Sequence, residues 1–204
     1  MSNETKNSIN VSVERVLSLL SNGYDDYLAS RTLLNHNQIL QGVVLANTAI
    51  EKYFKGILTL AKIKTKHSHS IKNLIPSIKN FDIKLFNRLN IDFIMQVDSC
   101  YVLRYIDSAP ENFHIALRRN QILSELDFSI SMIEEKININ AIDGRKYMTK
   151  YSSDKVAKRH ELVNNNYLFQ NIAKESFLIG EDYLYEIWIH SNKQFTEVKY
   201  QTYI

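Results

Sequence analysis

Three clusters of side chains in this chain have types and spacings suited to chemistry on an anion. Glu51, Lys52 and Lys55 lie within little more than one helical turn. A basic run follows, with Lys62, Lys64 and Lys66 leading into His67-Ser68-His69. Farther on, Arg104 directly precedes Tyr105, and the next histidine is His114, ten residues beyond Arg104. A guanidinium grips phosphate bidentately, an ammonium attracts it as a point charge, and imidazole titrates near neutrality. Each group also has a plainer role. Glu51 and Lys55 stand i,i+4 in the favourable order for a local helix salt bridge. Arg104 suits a structural pair with a carboxylate such as Glu51, and the lysines suit a solvated face. If Glu51 faces the interior instead, it needs a basic partner, because an unpaired buried carboxylate is costly. His67 and His69 lack a nearby carboxylate or cysteine, so no metal site is assigned. Arg31 and His36, with four residues between them, also make an Arg-x4-His match, but chance alone gives roughly 0.7 matches over the allowed spacings in a chain of this composition. His36 reads as an exposed turn residue.

These groups need elements to hold them. Val13, Val16, Leu17 and Leu20 mark a short leading helix over 11–20, which Asn22-Gly23 is expected to break. A helix over about 24–34 ends at Asn35-His36-Asn37, since Asn accepts turn conformations. From 38 to about 62 the apolar residues Ile39, Val43, Ala46, Ile50, Ile57 and Ala61 fall at helical steps. Leu40, Val44, Leu45, Tyr53, Phe54 and Leu58 widen that stripe, as in the central helix of a bundle. A short helix over 71–78 is expected to kink at Pro76. A long helix is expected over 85–105. Residues 107–111 then read as a stop and restart, with Pro110 and Glu111 opening a final bundle helix that runs to about 137 and carries His114 in its first turns. Past 140, Asp143-Gly144 signals a turn, and 155–173 suggests a further helix. The segments 183–189 and 195–203 alternate as strands around Ser191-Asn192-Lys193, so the end reads as a β-hairpin.

The run from 27 to 74 carries a family resemblance. Ala49-Ile50-Glu51-Lys52-Tyr53-Phe54-Lys55 is similar to the "A-x-EK-x-x-K" helix of the HEPN family (higher eukaryotes and prokaryotes nucleotide-binding domain), and His69-Ser70 resembles its "H-S/D" loop. Arg31 sits in a segment like the family's "A-x-R-x-L-L". Arg104-Tyr105 resembles the family's "RY" before the last helix, which lines a cleft, often at a dimer interface. The resemblance spans about 23–134. It implies a mainly α fold, an antiparallel up-and-down bundle over 23–139; outside the resemblance, 1–22 reads as a leading segment and 140–204 as a small α/β extension ending in the hairpin. It implies a nucleotide- or RNA-binding cleft from Glu51, Lys55, His69, Arg104 and Tyr105. His69 would cap the next helix and bond across the bundle, while His67 is left to solvent. A homodimer and a nucleotidyltransferase partner on another chain are further implications, within a defence, toxin–antitoxin or stress module. In the family's ribonucleases an Arg is followed by four to six residues and a His, with no metal. Here that spacing is not intact after Arg104, so cleavage would need His114 or His69 brought back to it.

Composition sets the outer bounds. With 204 residues, 45% of them hydrophobic, the chain is long enough for one sizeable core. Five Gly and two Pro are too few for an all-β protein rich in tight turns. A net charge of +3 permits an anionic partner without demanding one. The single Cys100 excludes an internal disulfide and a cysteine zinc site. No signal-peptide core or membrane-length apolar run stands out, so a cytoplasmic location is the simplest expectation. The aromatics of the last strands suit core packing or a protein interface better than base stacking, because few basic residues interleave them. Phosphate-loop, dinucleotide-fold and zinc-protease signatures are missing, and no cofactor is assigned.

Overall fold

A computed structural model of the chain describes residues 3–65, 69–140 and 146–203; His67 and the expected Asp143-Gly144 turn lie outside them. Helix α1 (Asn3–Asn35) is continuous, contrary to the break expected at Asn22-Gly23. The expected boundary at 22 therefore lies within a helix. Gly23 serves a close approach instead: a Cβ there would stand 3.1 Å from both Lys52 Cβ and the Tyr53 ring of the next helix. The Asn37 turn does form, with Asn37 left-handed at φ 62° and His36 exposed. It reverses the chain into α2 (Ile39–Leu60), so the two long helices pack side by side as an antiparallel pair. As its wide stripe requires, α2 is the centre of the bundle and also packs on α5 (Ile91–Cys100) and α6 (Arg119–Glu134).

Between α2 and α6 the chain is more broken than its apolar spacing indicates. A 3₁₀ turn (Ile71–Asn73) leads to α3 (Ile75–Phe81), where Pro76 occupies the first turn and so opens a helix instead of kinking one. The single helix expected over 85–105 is α4 (Ile83–Arg88), α5 and a 3₁₀ turn (Tyr101–Arg104). One side-chain cap opens the first of these helices and a second divides it from the next. Asp82 accepts from Leu85 N at 2.9 Å, and Asn90 accepts from Phe93 N at 3.0 Å.

The restart expected at Pro110 also fails. Residues Phe113–Arg118 form strand β1, and the last bundle helix, α6, begins only at Arg119. Four short helices follow residue 146: α7 (Lys150–Ala157), α8 (His160–Val163), α9 (Tyr167–Gln170) and α10 (Lys174–Leu178). Left-handed Lys158, Asn165 and Asn171 interrupt what reads in sequence as one helix. The terminal hairpin is present as β2 (Glu181–Ile189) and β3 (Phe195–Tyr203). It joins β1 in an antiparallel sheet of order β1-β2-β3, with Leu117 opposite Tyr185 and Ile187 opposite Glu197. Leu117, Tyr185, Ile187 and Ile189 are buried in the same core as the helices. Asp182, fully buried, ties sheet to bundle by accepting from Asn120 N at 3.0 Å in the first turn of α6, where the helix dipole favours a carboxylate. The chain is thus mainly helical with a small three-stranded sheet.

Candidate functional site: a cleft on the second helix

One face of α2 stays partly open. Leu40, Val44, Thr48, Glu51 and Lys55 step along it at intervals of three and four, and they form the floor of a cavity of about 790 Å³. Leu19 and Asp26 of α1 make one wall; His69, Tyr101, Leu103 and Arg104 make the other. Four of the side chains singled out from sequence, Glu51, Lys55, His69 and Arg104, therefore share one cleft although three chain segments supply them. Tyr105 stands just outside it, its ring 5.5 Å from the Arg104 guanidinium.

The cleft is apolar along Leu40, Val44 and Leu45 and charged toward its other end. Glu51 is buried, at 4% exposure, and accepts from Lys55 Nζ at 2.5 Å. The local helix pair is thus real, and the burial requires it. His69 Nδ1 lies 3.4 Å from the same carboxylate, and its imidazole stacks on Tyr101 with ring centroids 6.1 Å apart. Lys52 pairs with Asp26 at 2.6 Å. Arg104 does not pair with Glu51, and among the described residues no carboxylate forms an ion pair with it. It is an exposed guanidinium at the mouth of a cleft whose two lysines are already held by acids, which makes it the cation best placed to meet an incoming anion.

Two expectations are corrected here. His69 does not cap the following turn. Asp98 of α5 does so, accepting from Ile71 N at 2.6 Å and Ser70 Oγ at 3.0 Å, and His69 turns to Glu51 instead. His114 is not in a helix: it lies on β1, stacked on Trp188 at 4.5 Å between centroids, and lines neither cavity that contains Arg104. Arg31 is structural. Its fully buried guanidinium pairs with Asp127 and donates to the carbonyl oxygens of Glu161 (3.2 Å), Asn164 (2.6 Å) and Asn165 (3.2 Å).

Sequence reasoning missed Leu19, Asp26, Tyr101 and Leu103. The apolar part of the cleft floor shows in sequence only as excess width in the α2 stripe. The apolar residues Leu40, Val44 and Leu45 off the main stripe are the available signal. A more open groove of about 700 Å³ adjoins the cleft, lined by Leu103, Arg104, Tyr105, Asp107, Ser108, Lys193 and Phe195. Among the described residues no group of three or more His, Cys, Asp or Glu is arranged to hold a metal ion. No helix of the described residues is long and apolar enough to cross a membrane.

Comparison with protein-family models, curated proteins and solved structures yields no match, so the chemistry of the cleft carries the functional argument.

Proposed function

We propose that the α2 cleft binds a nucleotide or RNA, in a HEPN-type protein of a defence, toxin–antitoxin or stress module. The observation that supports this most directly is the convergence of Glu51, Lys55, His69 and Arg104 on one cavity with an apolar wall and a guanidinium that no carboxylate pairs with among the described residues. Arg104 takes the phosphate, Tyr105 flanks it, and the Leu40–Val44–Leu45 wall receives the base. Glu51 acts as an anchor, fixing Lys55 and His69. The protein works as a homodimer in this reading, alongside a nucleotidyltransferase-type partner on another chain.

Catalysis is a second reading, and His69 favours it. Its Nδ1 faces Glu51, a carboxylate that orients an imidazole for proton transfer, and it shares the cleft with Arg104. Metal-independent cleavage would then use Arg104 on the scissile phosphate and His69 on the 2′-OH, with no part for His114. A third reading, a silent interaction module, draws on β3, an edge strand with no partner along its outer side among the described residues.

Labelled single-stranded RNA incubated with the protein in EDTA separates these. Binding that Arg104→Ala weakens about ten- to a hundredfold, the effect of losing a charge-assisted contact, is the expected result. Cleavage abolished by His69→Ala would establish the ribonuclease. Absence of RNA and nucleotide binding by the unaltered protein would leave the interaction module.

A further inference from the structure

We infer that the groove beside the cleft is a second phosphate subsite, with Lys193 of the hairpin turn as its cation, so that the preferred ligand is a single RNA strand longer than one nucleotide. The inference rests on the nucleotide reading of the α2 cleft. Leu103 and Arg104 line both cavities, so the two adjoin at Arg104. A ligand phosphate held at Arg104 has its neighbour on one side over the apolar α2 wall. On the other side it meets the groove floored by Tyr105, Ser108, Lys193 and Phe195.

Lys193 is fixed there by the fold. The turn between β2 and β3 closes through Lys193 N to His190 O at 2.9 Å and His190 N to Gln194 O at 2.9 Å. The lysine Nζ donates to Ala109 O at 2.6 Å, on the segment that follows Arg104. That bond spends one of three ammonium donors on a neutral acceptor. Among the described residues no carboxylate forms an ion pair with Lys193, as none does with Arg104. Two cations without acidic partners, from segments 89 positions apart in the chain, thus line one groove. Asp107 lines it too and opposes an anion, which gives the site a second handle. A single nucleotide fills the cleft and reaches Arg104 alone; a strand reaches both cations.

The test is titration of a short labelled oligoribonucleotide and, separately, of a ribonucleoside monophosphate, each over a range of salt. Lys193 has φ 61°, so Lys193→Asn removes the charge in a residue that tolerates left-handed backbone. It is expected to weaken strand binding about tenfold. It should also lower the salt slope by about 0.7, the share of one phosphate contact on a single strand. Monophosphate binding should not change, Lys193→Arg should retain strand affinity, and Asp107→Asn should raise it. Lys199→Ala, on the same hairpin but stacked over Tyr183, serves as the control. Strand affinity and slope unchanged in Lys193→Asn would overturn the second subsite while leaving the cleft reading intact. Binding of neither probe by the unaltered protein would overturn both.

Discussion

Arg31 and Asp127 form an ion pair with no solvent access, and Arg31 also donates to the carbonyl oxygens of Glu161, Asn164 and Asn165. Tyr27 donates to Asp127 Oδ1 at 2.7 Å, and burial holds that phenol well above its usual titration range, so the bond persists at alkaline pH. Removing one member of such a pair leaves the other charge buried and alone. Asp127→Ala should therefore cost about 3–5 kcal/mol in urea unfolding. Glu134 is the opposite case: a buried carboxylate with hydroxyl partners, Tyr53 at 2.8 Å and Thr149 at 2.7 Å, and no cation among them. Burial raises its titration point above the ordinary 4.5. The folded state then holds a proton that the unfolded state releases, so stability falls as pH rises from 4.5 through the folded value. Glu134→Gln should flatten that decline, and unfolding midpoints measured across the acidic range in both proteins will show it. Neither role was legible from spacing. Arg31 stands out in sequence as half of an Arg-x4-His match and as part of a segment that resembles the family's; Asp127, its partner, carries no local signal.

At the level of elements, the helix pair α1–α2 depends on glycines where the two helices approach most closely. A Cβ on Gly42 would stand 2.7 Å from Leu34 Cγ and Cδ2, and one on Gly56 would stand 2.8 Å from Leu20 Cδ2. Gly42→Ala is expected to lower stability by about 1–3 kcal/mol, the cost of overpacking, despite the better helix propensity of Ala. A thermal melt reads the sign directly: a rise in Tm would show that Leu34 can move aside. Periodicity worked where one element decides its own form. The α2 stripe, the Asn37 reversal and the hairpin were all visible. It failed at β1, where Phe113–Arg118 becomes a strand because β2 arrives from the far end of the chain. It failed again at Asn90, where one side-chain cap divides a continuous apolar stripe.

Across the whole molecule, the segment after 140 is built into the bundle. Arg31 holds its carbonyl oxygens, Tyr24 donates to Asp154 at 2.9 Å, and β1 completes its sheet only with β2. A chain ended at 140 should lose cooperative unfolding and near-ultraviolet circular dichroism, even though it retains the run that carries the family resemblance. Cys100 reports on the same integrity. It is fully buried, and burial pushes its thiol up to about 12. It should resist thiol reagents in the native protein and react at the rate of global opening.

Sequence by itself determined the helical class, the central place of α2, the terminal hairpin and the residue types of the cleft, because each follows from local periodicity, turn chemistry or composition. Tertiary structure alone decided which of those residues meet. It brought His69 to Glu51, left Arg104 without an acid among the described residues, moved His114 onto a strand beside Trp188, and set Lys193 beside the cleft. The physical reason is that contacts between distant segments are fixed by burial and by the pairing of whole elements. A carboxylate such as Asp98 or Asp127 acquires its role only when packing shows which donor it must satisfy.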